Sequence, residues 1–178
     1  MRALGPGSVS SFLKIILDVV FAALWIGVGV LSLLTLAALL LSYNPDILAG
    51  LRDSSPGVFS DLVKNGPSMA GALVGAALYL AGILVIVAAL RRIFTTLTAG
   101  DPFHPDNVAR LRLIGLMLGG LELGRYAFWG VSAWLFSGVN KVEPSFSLTA
   151  WFSVLVVFVL AEVFREGARL RREAELTI

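Results

Sequence analysis

A chain of 178 residues has the length of one ordinary domain, yet 57% of it is apolar and only 15% is charged, where a soluble domain carries about 25% charge. The mean hydropathy is +0.87. So few charges cannot cover that much apolar surface in water, which excludes a soluble enzyme, a disordered linker and a nucleic-acid-binding domain with a broad basic face. With no cysteine and a single histidine, His104, the chain cannot build a disulfide, a thiolate or multi-histidine metal site, or a c-type haem attachment. No cofactor and no metal site is expected.

Four apolar stretches follow one another along the chain: 15–41, 68–90, 113–136 and 146–164. A helix of roughly 20 apolar residues crosses a hydrocarbon core, so each is long enough. The first is too long for the apolar core of a signal peptide, typically about 7–15 residues, and is read as a membrane anchor. The expected fold is all-α: a polytopic membrane protein in one domain, 1–178, with a bundle of four transmembrane helices and a cytosolic helical extension.

Basic residues set the direction. The amino terminus, the segment joining the second and third stretches, and the carboxyl tail together hold 10 Lys and Arg; the opposite side holds 3, namely Arg52, Lys64 and Lys141. The positive-inside rule then places both termini in the cytosol. Tyr43, Trp134 and Trp151 fall near the outer ends of spans, as interfacial aromatics do. Trp25, Tyr79 and Tyr126 lie deeper and are expected to face other helices.

The external segment 42–67 contains turn chemistry and short amphipathic pieces. It reads as a short helix on the outer membrane face, or alternatively as a lid. On the cytosolic side, Arg91 and Arg92 close the second stretch. Ile93, Phe94 and Leu97 extend a helical stripe, and Gly100 suits a helix C′ position. Asp101-Pro102-Phe103-His104-Pro105-Asp106-Asn107 is a rigid turn, with Asp106 or Asn107 placed to cap the next helix. The tail after Arg165 continues as a helix, with Glu162–Arg165, Glu166–Arg169 and Arg169–Glu173 at ion-pairing spacings. Two readings stay open for these segments: punctuation at the membrane surface, or a docking surface.

Thr98-Ala99-Gly100-Asp101-Pro102-Phe103, then Asn107, then Leu111-Arg112-Leu113-Ile114-Gly115 resembles the cytosolic signature of a bacterial membrane family catalogued as domain of unknown function 2975. The ending Val163-Phe164-Arg165-Glu166-Gly167-Ala168-Arg169-Leu170-Arg171-Arg172-Glu173, closing on Glu175-Leu176-Thr177-Ile178, resembles it as well. The resemblance implies four transmembrane helices and no established enzymatic activity. It also implies genes often placed beside a very short helix-turn-helix regulator of the Cro/CI type. The partner-docking residues it points to are Gly100, Asp101, Pro102, Phe103, Asn107, Arg165, Arg169 and Arg172.

Glu122 and Arg125 are charges inside the third stretch, about 14 Å from its cytosolic start at Leu113. Their spacing of three puts them on one helix face, where pairing offsets the roughly 2.5–3.5 kcal/mol cost of an isolated intramembrane charge. Tyr79 and Tyr126 are available donors at similar depth, and Gly115, Gly119, Gly120 and Gly124 let helices approach. The pair is either a structural ion pair or an intramembrane polar site for a ligand or proton. Asp18 and Glu162 lie near the boundary, within reach of water or of Lys14 and Arg165.

The expected function is a non-enzymatic membrane regulator or sensor that docks a small cytosolic helix-turn-helix transcription regulator, without binding nucleic acid itself. The alternative is a small transporter, or an immunity or resistance protein, that uses the Glu122–Arg125 pocket. The lipid bilayer is the certain partner, and assembly into a homo-oligomer is compatible with this plan.

Overall fold

A computed structural model of the chain describes residues 9–44, 66–135 and 145–176. They form four helices: α1 (Val9–Tyr43), α2 (Gly66–Thr98), α3 (Pro105–Leu135) and α4 (Leu148–Glu175). The all-α expectation holds, and among the described residues there is no strand. The first two apolar stretches lie wholly within α1 and α2; α3 and α4 hold the third and fourth except for 136, which lies outside the described residues, and 146–147, which precede α4. The expected outer-face helix or lid at 42–67 falls almost wholly outside the described residues, as does most of the second external loop.

Three helices are long and apolar enough to cross a membrane, over Phe12–Leu40, Ser68–Thr98 and Leu148–Ala174. This is a membrane protein. The third expected span lies in α3, which is not among the three; Glu122 and Arg125 dilute its apolar run. Yet α3 packs on both α2 and α4, as α1 packs on α2.

The long-range contacts fix the direction of each helix. Asp18, early in α1, accepts from Arg91 Nε, late in α2, at 2.5 Å. Arg110, early in α3, donates to the Arg92 carbonyl at 3.2 Å. Arg112 of α3 lies 3.7 Å from Glu162, late in α4. The basic ends of all four helices therefore stand at one end, and neighbouring helices run antiparallel. The Asp18–Arg91 pair joins two helices, where the sequence pointed only to water or Lys14. Arg91 also lies 4.3 Å over the ring of Phe21.

The core sits at this basic end. Ala89 and Ile93 of α2, Leu111 and Ile114 of α3, and Ala161 of α4 are buried together. Outside it the helices expose apolar side chains, among them Trp25, Leu33, Leu78 and Phe152. In lipid such side chains incur no cost, because the driving force for burial is absent there. Trp25, 56% exposed, thus faces outward instead of toward another helix, whereas Tyr79 lines a cavity between α2 and α3.

Candidate functional site

Two places collect polar side chains: the turn at the basic end, and the Glu122–Arg125 pair.

The turn begins where α2 stops. Gly100 adopts φ +82°, a left-handed conformation that favours glycine. Gly100 N–H donates to the Leu97 carbonyl at 3.1 Å and Asp101 N–H to the Thr96 carbonyl at 3.0 Å, the paired bonds of a Schellman ending. Pro105 opens α3, where its missing N–H costs nothing. The cap is not Asp106 or Asn107, as the sequence led us to expect, but His104. Its Nδ1 accepts from the Asp106 N–H at 3.2 Å and its carbonyl from the Asn107 N–H at 2.9 Å.

Asn107 has a different task. It is fully buried, at 0% exposure, and bolts the turn together. Its Nδ2 donates to Thr96 Oγ1 at 2.7 Å and to the Pro102 carbonyl at 3.1 Å, while its Oδ1 accepts from Arg110 Nη1 at 2.9 Å. The end of α2, the turn and the start of α3 are held by one side chain.

The turn is also clasped to α4. The Phe103 ring packs on Phe164, with centroids 5.7 Å apart. It fills the notch at Gly167, where an added Cβ would stand 2.5 Å from the ring. Asp101 pairs with Arg171, a residue that sequence reasoning did not single out. An exposed ion pair contributes at most about 1 kcal/mol, whereas covering most of a phenyl ring contributes about 1–2 kcal/mol, so the ring dominates the clasp. Phe103 remains 38% exposed, and with Asp101, His104 and Arg172 it borders a cleft of about 250 Å³.

The other tail arginines stay on their own helix. Arg165 pairs with Glu162, and Arg169 with Glu166 at 2.6 Å and Glu173 at 3.4 Å, all three as the spacing implied. Arg172 Nε donates to the Ala168 carbonyl at 3.4 Å. The structure thus brings Gly100, Asp101, Pro102, Phe103 and Asn107 together in one turn, which meets α4 through Asp101 and Phe103. Arg165, Arg169 and Arg172 stand on α4 beside that contact.

At the second place, Arg125 Nη2 donates to Glu122 Oε1 at 2.6 Å, and the Tyr126 hydroxyl donates to the same oxygen at 2.7 Å. Arg125 Nη2 also reaches the Ser145 carbonyl at 3.1 Å, just before α4. The guanidinium therefore lies level with the start of α4. Along α3, Glu122 stands about 15 Å and Arg125 about 20 Å from Arg112.

Tyr79 is not a donor to the pair. It lines a cavity of about 650 Å³ between α2 and α3, into which Arg125 also faces. The glycines divide by face. Gly115 and Gly119 meet Phe158 and Val154 of α4, whereas a Cβ on Gly120 or Gly124 would meet nothing within 4 Å. By the same antiparallel register, Trp151 stands opposite Glu122. Its indole nitrogen is shielded and has no hydrogen-bond partner among the described residues.

The model of a family described as "Protein of unknown function (DUF2975)" matches residues 37–178. The chain belongs to the DUF2975 family. No curated protein and no solved structure matches it. The match takes in α2, α3 and α4 whole, and so includes every residue of the clasp. For this DUF2975 member the signature turn has a local physical explanation: Gly100 ends α2, Asn107 holds the turn between α2 and α3, and Phe103 and Asp101 tie it to α4.

Proposed function

We propose that this DUF2975 protein is a non-enzymatic regulator or sensor of the bacterial inner membrane, with both termini cytosolic, that docks a small helix-turn-helix transcription regulator. The observation that supports this reading most is the clasp: two segments distant in sequence, the turn and the α4 tail, form one polar surface at the basic end. The excess of basic residues at that end favours its cytosolic placement. The neighbouring regulator genes implied by the family resemblance supply the partner's class.

Signalling through such a surface needs two packings of the helices with different affinity for the partner. A shift of α4 along α3 would move Gly167 relative to Phe103 and so reshape the surface. Co-purification from solubilised native membranes tests the reading. The regulator should accompany the wild-type chain, while Phe103→Ala and truncation from Ala168 should each reduce its recovery without affecting insertion. Undiminished recovery with both variants, or no regulator with the wild type, would refute it.

A further inference from the structure

We propose that His104 is a proton-operated switch at the start of α3: neutral, it caps the helix; protonated, it releases the Asp106 N–H, turns to the Asp106 carboxylate and loosens the turn from α4. His104 is the chain's only histidine. Its Nδ1 accepts from the Asp106 N–H at 3.2 Å, which fixes the tautomer: Nδ1 carries the lone pair and Nε2 the proton. Imidazole is the side chain that changes charge between about pH 5 and 8. Once protonated, Nδ1 is a donor and can no longer accept, so this cap exists only in the neutral form. At 38% exposure the ring is open to solvent protons.

Two observations say where the protonated ring goes and what it does there. The first is that Asp106 Oδ2 stands 3.7 Å from the same Nδ1, close enough to accept its new proton after a small rotation of the ring. The bond to the backbone amide is exchanged for one to the carboxylate of the same residue. The second is the charge around the ring. The turn and α3 supply Asp101, Asp106 and Arg110, and α4 supplies Arg171 and Arg172 across the shared cleft. Asp101 is already paired with Arg171, and Asp106 lies 3.5 Å from Arg110. A protonated His104 therefore adds a positive charge opposite two guanidiniums where cations already exceed carboxylates. Phe103, its neighbour in the chain, is the residue seated at Gly167, so the repulsion acts on the clasp itself.

The test uses the full chain in phosphatidylcholine nanodiscs with isotope-labelled histidine, which reports a single ring by NMR. A titration from about pH 8 to about pH 5.5 should take that ring from the Nε2–H tautomer to imidazolium. Over the same range the protection of the Asp106 amide against hydrogen exchange, corrected for its intrinsic rate, should fall about fivefold, the factor a typical cap contributes. The chain has no cysteine, so spin labels at Ala99→Cys and Leu170→Cys read the separation of the turn from α4, which should lengthen as the ring is protonated. His104→Asn keeps a neutral acceptor at the cap and should hold both the amide protection and the separation constant across the range. Asp106→Asn removes the acceptor of the new proton and should move the ring's transition to lower pH. An Nδ1–H tautomer at the alkaline end, an amide whose protection does not follow the ring, or the same pH response in His104→Asn would overturn the proposal. So would an unchanged separation, which would confine the proton's effect to the cap and leave α4 in place.

Discussion

Replacing Asn107 by Ala removes the bolt of the turn at the basic end. Three side-chain hydrogen bonds disappear, to Thr96, Pro102 and Arg110. A net bond contributes about 0.5–1.5 kcal/mol, and a shielded group left unpaired costs about 1–3 kcal/mol. At 0% exposure water cannot replace the amide without opening the turn. The expected loss is therefore about 2–4 kcal/mol, allowing for relaxation that returns the Arg110 guanidinium to solvent. At roughly 2–4 °C per kcal/mol for a chain of this size, Tm should fall by about 5–15 °C. Asn107→Asp should not rescue it. The carboxylate keeps the acceptor for Arg110 but loses both donors and faces the Pro102 carbonyl. Thermal unfolding in a mild detergent, followed by circular dichroism, is the assay. A drop below about 2 °C for Asn107→Ala would refute the assigned role, since even the low end of the expected loss, about 2 kcal/mol, predicts about 4 °C.

Three other outcomes follow from the same geometry. Alkaline phosphatase fused after Lys64 or Lys141 should be active, and fused after Asp106 or at the carboxyl end inactive; the reverse pattern would overturn the orientation. Glu122→Ala or Arg125→Ala alone should lower folded yield more than the joint replacement by Leu and Met, because a single variant strands one charge; singles that behave as wild type would refute the cost assigned to it. Gly167→Val should destabilise the wild-type chain, because its Cβ collides with Phe103, and should cost much less in a Phe103→Ala background. Additive losses in thermal unfolding would show that the two residues do not meet.

Local signals carried the helices. Apolar run length marked all four, Gly100 marked the end of α2, and the spacings of three and four marked the ion pairs of the tail. The cap of α3 was misassigned to Asp106 or Asn107, although proline at the first helical position marks the preceding residue, His104, as the N-cap. What local periodicity does not encode is register between helices. Asp18 meets Arg91, Phe103 meets Gly167 and Arg125 meets Ser145 only because particular turns of neighbouring helices align. The same limit explains Tyr79, whose depth was readable but whose face was not, and Asn107, whose burial depends on Thr96 and Pro102 arriving from the other side of the turn.

The central claim is that the turn and the α4 tail, clasped through Phe103 and Gly167, form a cytosolic dock for a small helix-turn-helix regulator. The most direct measurement is the molar ratio of that regulator to membrane protein after purification from native membranes, compared between wild type and Gly167→Val. The altered residue lies under the clasp, so the variant opens the surface without changing any charge on it. The account predicts a near-stoichiometric ratio for the wild type and at least a several-fold loss for the variant at equal membrane abundance. An unchanged ratio, or no regulator on the wild-type chain, would contradict it.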